Sequence, residues 1–321
     1  MKVGLFLNTQ FQPGQPVAAH VPDLVAQTRA ARDAGFKSLW FPHHYLTGPL
    51  QMLQIVPMMA YLAQHAEGMQ IGPNILILPL LNPVHVAEES ATLDVLTGGN
   101  YVLGVGLGYR EGEFAAFNMS LRERAPRLEE GIALIRRLWS GEKVAHKGRF
   151  YQVDDLAIGL KPVRDGGPPI WMAGTAHAAI QRAARIGDAW MIVPSTPLPE
   201  LVEQMRVYRA ALGSRVPDCF PIVRECYVGA SHRTALEECR GALQYKYNAY
   251  ASWGLADRQP PSFEELVRER FIIGDMVSVK EEIARYREAL AVDHFMMRCH
   301  WPGLEFDKSL ASIRRLGEIF A

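Results

Sequence analysis

The sequence predicts an α/β fold, a single (β/α)8 TIM barrel with insertions that spans residues 1–321. Three observations predict it. Eight short apolar runs alternate with amphipathic segments almost from end to end. The runs are apolar on both faces, so the strands need cover on both sides, as parallel strands do. The chain has 321 residues, 49% of them hydrophobic, enough to fill such a core and carry excursions. An open doubly wound sheet would hold the same elements, but no linker marks a second domain.

The first strand is Val3–Leu7, followed by a helix over Val21–Ala34 whose apolar positions repeat at helical spacing. Gly35 ends that helix as a left-handed C′ residue. Ser38–Phe41 is the second strand, and Pro57–His65 the next helix, with its proline tolerated in the first turn. Met69–Leu78 holds the third strand and Val84–Leu96 its helix. Tyr101–Val105 is the fourth strand, and Arg124–Trp139 is helical, with Leu128, Ile132, Ile135 and Leu138 on one side. Gly141–Gly167 breaks the rhythm, and within it Gly148–Tyr151 and Leu156–Ile158 form a small hairpin or lid. Alternation resumes with the strand Pro169–Ala173, the helix Ala176–Arg185, the strand Ala189–Val193 and the helix Leu198–Leu212. The seventh strand is Ile222–Val228, and Ser231 is an N-cap for the next helix. Tyr245–Gly274 is a second, aromatic-rich excursion. Helix Lys280–Leu290, strand His294–Arg298 and helix Lys308–Phe320 complete the series.

Composition excludes several function classes. Lys plus Arg and Asp plus Glu both total 34, so no long-range field draws nucleic acid or an acidic membrane. Four scattered cysteines, without a C-x-x-C pair, form neither a disulfide framework nor a zinc site. The chain moves from Met1 straight into a strand pattern, without a signal peptide, and Ile71–Leu81 is too short and interrupted to cross a bilayer. The expectation is a cytoplasmic protein.

In a barrel, ligand groups gather beyond the C-terminal strand ends. Those positions are Asn8 and Thr9, Pro42–His44, Leu78–Asn82, Gly106–Glu111, Gly174 and Thr175, Pro194 and Ser195, and Arg298–Trp301. Tyr101–Phe114 is the most informative of these stretches, a strand running into a turn with Gly104, Gly106 and Gly108 and then into Tyr109 and Arg110. Such a turn lets backbone N–H groups approach an anion, or simply makes a tight strand-to-helix connection. It follows the fourth strand rather than the first, which argues against a dinucleotide-binding fingerprint. Gly174 and Thr175 begin a helix whose free N–H groups suit a phosphate, although a threonine there is also an ordinary cap. Arg110 would add a rigid donor fork to that anion, or pair with Glu111 or Glu113 on the surface. In the His43–His44 pair, one imidazole can face a ligand and exchange a proton, while the other packs or caps backbone. Metal ligation is not expected, for want of carboxylate or cysteine partners on the rim. Phe6, Leu7, Trp40, Phe41, Ile77, Trp171, Met172, Trp190 and Trp301 offer lining for a flat aromatic cofactor, or fill the barrel interior.

The order and spacing of several segments resemble the bacterial luciferase-like superfamily of flavin- and deazaflavin-dependent oxidoreductases. These are Ala34–Trp40, Asn82–Glu89, Leu93–Gly99, Leu103–Phe117, Arg127–Gly131 through Leu138–Gly141, Gly148–Tyr151, Lys161–Val163 with Pro168–Trp171, and Ile186–Trp190. The resemblance covers nearly the whole chain. It implies a barrel, usually dimeric, that binds flavin at its C-terminal rim. Its active-site histidine matches His44, and the residue before it, commonly acidic, is here His43. A non-prolyl cis peptide after the third strand falls near Asn74–Ile75. The implied phosphate region is Gly106, Leu107, Gly108, Tyr109 and Arg110 with Gly174 and Thr175, and luciferase itself has an arginine at the position of Leu107. The expected cofactor-binding set is therefore Phe6, His44, Asn74, Ile75, Gly106–Arg110, Gly174 and Thr175, with His44 catalytic and no metal.

The expected function is a monooxygenase using reduced FMN, supplied by a separate NAD(P)H:flavin reductase, and O2 to oxygenate a small, mainly apolar organic substrate. The alternative is an F420-dependent oxidoreductase transferring hydride. F420 has a long acidic tail, and no Lys/Arg cluster accompanies Arg110. A third possibility is a non-catalytic flavin-binding or structural barrel.

Overall fold

The computed structural model describes residues 1–253 and 262–321. Among them, eight parallel strands form a closed ring. Lys2–Phe6 pairs with Ser38–Phe41 on one side and His294–Arg298 on the other. Ser38–Phe41 pairs with Gln70–Pro73, Leu103–Gly106 with Ile170–Ala173, Ile170–Ala173 with Ala189–Met191, and Pro221–Val228 with His294–Arg298. Two single bridges, Ile71 to Tyr101 and Ile192 to Ile222, join the two arcs into a barrel. In chain order these are strands one to eight, and each neighbours the next, as in a (β/α)8 barrel.

The helices are α1 (Val21–Asp33), α2 (Ile55–Ala63), α3 (Pro83–Leu96), α4 (Glu111–Ala116), α5 (Arg124–Leu138), α6 (His177–Ile186), α7 (Leu198–Leu212), α8 (His232–Ser252), α9 (Phe263–Glu269), α10 (Met276–Leu290) and α11 (Phe306–Phe320). Gly35 closes α1 with φ +82°, as a C′ glycine does. The Ser231 hydroxyl accepts the Thr234 N–H at 3.2 Å and caps α8.

The apolar alternation resolves into two layers. Leu5, Leu39, Ile71, Leu103 and Ile170 point outward against the helices. Phe6, Trp40, Trp171, Met191, Val223 and Met296 point inward and fill the barrel, with the Trp40 and Trp171 rings stacked at 5.0 Å. That tight interior needs glycine on the fourth strand. A Cβ at Gly104 would stand 2.0 Å from the Pro73 carbonyl oxygen and 2.9 Å from Met191 Cε. Gly104→Ala is therefore expected to cost roughly 1–3 kcal/mol or more, since backbone must move to admit the methyl. An unchanged thermal midpoint in that variant would refute this account of the packing.

Three segments differ from the sequence reading. The third strand stops at Pro73, and Leu76–Ile77 pairs instead with Val105–Gly106. The Asn74–Ile75 peptide between them is cis. In the 141–167 excursion, the hairpin strands are Val144–Lys147 and Gln152–Leu156, so Gly148–Tyr151 is their turn rather than a strand. The aromatic run that begins the 245–274 excursion is helical: α8 continues to Ser252. Leu243, Lys246, Tyr247 and Tyr250 recur at helical spacing and pack inward, which explains the aromatic content better than a loop does. Residues 254–261 of that excursion lie outside the described residues, and α9 with the strand Ile272–Gly274 completes it.

Candidate active site

A cavity of about 470 Å³ opens at the C-terminal end of the barrel. Every strand contributes to it: Phe6, His44, Asn74, Gly106, Ala173, Val193, Glu225 and Arg298 come from strands one to eight or the turns that follow them. The expected residues Phe6, His44, Asn74, Ile75, Gly106, Leu107, Gly108, Tyr109, Gly174 and Thr175 all line it. Of the other aromatic and apolar rim candidates, Ile77 joins them. Trp40 and Trp171 fill the barrel below, Trp190 packs on Tyr208, and Trp301 lies in a separate core beside Tyr227. The aromatic wall comes instead from Tyr109, Tyr247 and Tyr250.

Arg110 is the expected residue that does not line the cavity. Its guanidinium donates to the carbonyls of Tyr45 (2.6 Å) and Leu46 (3.1 Å) and to Glu113 (3.3 Å), and lies 4.5 Å from the Trp253 ring. It is not on the surface either: these contacts tie the turn after strand four to the loop after strand two. Arg124, at the start of α5, lines the cavity and donates to the Gly108 carbonyl at 3.1 Å. Nearby, α6 begins with Ala176 as N-cap, which has no side-chain acceptor, so no side chain caps its first-turn amides; of these the Ala179 N–H turns back to the Ala176 carbonyl at 2.8 Å. Thr175 precedes the cap and is not the cap itself. Its loop is fixed by Trp190 Nε1 donating to the Gly174 carbonyl (2.9 Å) and Gln204 Nε2 to the Thr175 carbonyl (3.1 Å). Close packing accounts for the glycines: Cβ atoms at Gly106 and Gly174 would stand 2.8 and 2.6 Å from Ile75 and Ala179.

The two histidines after strand two have different environments. His43 is buried, and its Nδ1 accepts the Ile77 N–H at 3.2 Å. Burial, with His44 beside it, pushes its pKa down to about 4, so near neutral pH it is an uncharged packing and capping group. His44 Nδ1 lies 3.1 Å from Glu113 Oε1, and the Glu113 carboxylate also accepts the Tyr45 N–H at 2.8 Å. Burial opposes ionisation of Glu113, but hydrogen bonds from His44 and Tyr45 and the charge of Arg110 outweigh it and hold its pKa below the usual range. A carboxylate in that position keeps the proton of a neutral His44 on Nδ1 and leaves Nε2 as the ring nitrogen for a ligand.

Strands seven and eight bring a buried ionic group to the cavity wall. Glu225 Oε1 accepts from Lys246 Nζ, Arg298 Nη1 (3.2 Å) and the Tyr247 hydroxyl (3.3 Å), and Oε2 accepts from Trp301 Nε1. Burial and the charge of Arg298 push Lys246 down to about 7, against the pull of Glu225. Among the described residues no cluster could hold a metal ion, and no helix is long and apolar enough to cross a membrane. Sequence reading missed Arg124, Glu225 and Lys246 as cavity residues and gave Glu113 only a surface role. A cation at a helix start and an acid two residues after Glu111 were their only signals.

The luciferase-like monooxygenase family matches residues 1–293. The flavin-dependent trigonelline monooxygenase, oxygenase component, of Acinetobacter baylyi is 23% identical over 98% of this chain and 93% of its own length. The F420-dependent hydroxymycolic acid dehydrogenase of Mycobacterium tuberculosis is 33% identical, but over 52% of this chain and 48% of that protein. A monooxygenase from Streptomyces bottropensis superposes with a TM-score of 0.87 at 22% identity, covering 99% of this chain and 98% of that one, which establishes the shared fold. Relatives in this group use either flavin or F420. With its barrel, its rim cavity and a match across nine-tenths of its length, the chain belongs to the luciferase-like monooxygenase family.

Proposed function

We propose that this protein is a flavin-dependent monooxygenase that uses reduced FMN, delivered by a separate NAD(P)H:flavin reductase, and O2 to oxygenate a small, mainly apolar organic substrate. The observation that carries this reading is the cavity itself, lined by Arg124 and the residues that lead into α6, and by His44 held by Glu113. The residues present fit a phosphate-bearing aromatic cofactor. Arg124 and the uncapped amides suit a phosphate, Ile75 and Leu107 offer apolar contact, and the buried Tyr109 hydroxyl has no partner among the described residues. Bound there, reduced flavin would supply the electrons that activate O2. The chain would hold the phosphate, present His44 Nε2 to a ligand oxygen for proton exchange, and exclude bulk water with Tyr109, Tyr247 and Tyr250. The near full-length similarity to an oxygenase component favours FMN.

The second reading, hydride transfer with F420, is supported by the higher identity of a dehydrogenase over half the chain. Against it, Arg124 is the one cationic side chain at the phosphate end among the described cavity residues, little for a long acidic tail. Parallel anaerobic titrations with reduced FMN and reduced F420, followed by labelled O2 and a substrate panel, separate the readings. Oxygen incorporation with FMN supports the first, and substrate-dependent F420 oxidation without incorporation replaces it with the second. Failure of both cofactors to bind would favour a non-catalytic barrel. Arg124→Ala is expected to weaken FMN binding by about 1.5–3 kcal/mol, the worth of a charged hydrogen bond. Arg110→Ala acts only through the loop it ties and should weaken binding less. The reverse order in fluorescence titration would return the phosphate to Arg110. A single domain over 1–321, homodimeric assembly and a cytoplasmic location belong to the same proposal, with sedimentation equilibrium as the test of the dimer.

A further inference from the structure

Two cationic ends face this one cavity. Arg124 and the start of α6 stand beyond strands four and five, and Lys246 and Arg298 stand by strands seven and eight. In the closed ring strands one to three separate the two ends on one side and strand six separates them on the other. A cofactor whose phosphate occupies the first end leaves the second for a different group.

That second end carries more positive charge than its own carboxylate balances. Lys246 and Arg298 share Glu225, and the side chains are 2%, 7% and 0% exposed. Glu225 already accepts from both cations, Tyr247 and Trp301. Arg298 Nε is buried and has no partner among the described residues. The Arg298 guanidinium lies 3.9 Å from the Phe6 ring, and the Lys246 ammonium lies 5.2 and 5.4 Å from the rings of Tyr247 and Tyr250. Of these seven residues all except Trp301 line the cavity. A tie between strands seven and eight and α8 needs one cation for one carboxylate. A second cation, dry and placed on the cavity wall, is unbalanced unless something anionic joins it.

We propose that this end is a subsite for an anionic oxygen of the organic substrate, a carboxylate, enolate or phenolate on an otherwise apolar body, held by Arg298 and Lys246. Phe6, Tyr247 and Tyr250 would enclose the apolar part. The inference rests on reading the cavity as a flavin-type active site. It adds to that reading a selection rule: neutral analogues of the same size bind poorly, because they leave the cation uncompensated. Lys246 also makes the subsite proton-linked. The charged and titratable groups facing it are Glu225, Arg298, Tyr247 and Tyr250, while Arg224 turns its guanidinium to the carbonyls of Val193 and Thr196. With its pKa pushed down to about 7, Lys246 is part-deprotonated near neutral pH, and an arriving anion would draw a proton onto it.

The experiment uses benzoate, benzamide and benzyl alcohol as probes on the cofactor-free protein, by calorimetry in two buffers of different ionisation enthalpy near neutral pH. Benzoate is expected to bind at least about tenfold more tightly than either neutral probe, with net proton uptake. The paired variant Glu225→Gln with Lys246→Met, which avoids leaving a buried carboxylate alone, should reduce the preference and abolish the uptake. Arg124→Ala should leave both in place. Equal affinities for benzoate and benzamide in the wild-type protein would overturn the proposal, whether or not the variant folds. So would benzoate binding that disappears in Arg124→Ala, which would place the anion at the phosphate end. FMN titration of the same sample separates the two claims. A benzoate preference without FMN or F420 binding sinks the cofactor reading and supports the subsite, whereas FMN binding without a preference sinks the subsite alone.

Discussion

Replacing His44 by alanine is expected to lower turnover by roughly 10²–10⁴-fold, the usual worth of a positioned acid–base group. The imidazole lines the cavity and has Nδ1 committed to Glu113 at 3.1 Å, so Nε2 is the atom a ligand meets. Its rings of contact, Tyr109 at 5.6 Å and Trp253 at 5.5 Å, are edge-on packing that the variant loses without losing the barrel core. Glu113→Gln should have a smaller effect. The amide keeps an acceptor near Nδ1 but removes the charge that fixes the ring and anchors Tyr45 and Arg110. His43→Ala should act mainly on stability, because His43, although its ring also lines the cavity, commits Nδ1 to a backbone N–H. Steady-state turnover beside circular dichroism checks the order. Unchanged rates in His44→Ala, with an inactive but folded His43→Ala, would reverse the assignment of the pair.

The second large effect is acid destabilisation by three buried histidines, His43, His294 and His300. Burial is the leading cause in each case and pushes their pKa values down to about 4, 3 and 4, from an ordinary value of 6.5. For His300 a hydrogen bond to the Leu304 carbonyl and the charge of Asp23 only partly offset burial. His294 meets the Ser38 hydroxyl at 2.7 Å beneath the Trp40–Trp171 stack. The unfolded chain takes up protons at these positions from pH 6.5 downward, while the folded chain does not until about pH 4 or 3. Protons therefore favour the unfolded state across that window, and stability falls as the pH falls through it. At about 1.4 kcal/mol per unit, His43 and His300 each account for about 3 kcal/mol and His294 for about 5 kcal/mol when the window has been crossed. Together they approach the whole stability of an ordinary domain, about 5–15 kcal/mol. Urea unfolding midpoints should drop steeply between about pH 6.5 and 4.5, above the range where carboxylates titrate. A flat profile there would mean that these side chains reach water. His43→Gln should flatten the slope, because glutamine can accept the Ile77 N–H without titrating.

The eight strands, their order and the rim they present were legible in the sequence because they depend on local patterning. Apolar runs such as Ser38–Phe41 and His294–Arg298 specify strands that must be buried on both faces. Once the strands close in chain order, their C-terminal ends share one rim, so His44, Asn74, Gly106 and Gly174 converge without any contact having been read directly. The direction of long side chains is not a local property. Arg110 belongs to the expected phosphate turn, yet its guanidinium satisfies carbonyls of the loop after strand two, 65 residues away in sequence. Arg124, at the start of a helix, supplies the cavity's cation at that end instead. Glu113, one turn beyond Arg110, becomes the partner of His44 only because α4 packs under the strand-two loop. Lys246 and Glu225 are 21 residues apart and meet only where α8 crosses the mouth of the barrel. Periodicity thus determined the barrel and the end at which its site lies. Tertiary packing alone decided which charges face the cavity, because a flexible charged side chain goes wherever distant backbone or an opposite charge can satisfy it in a dry interior.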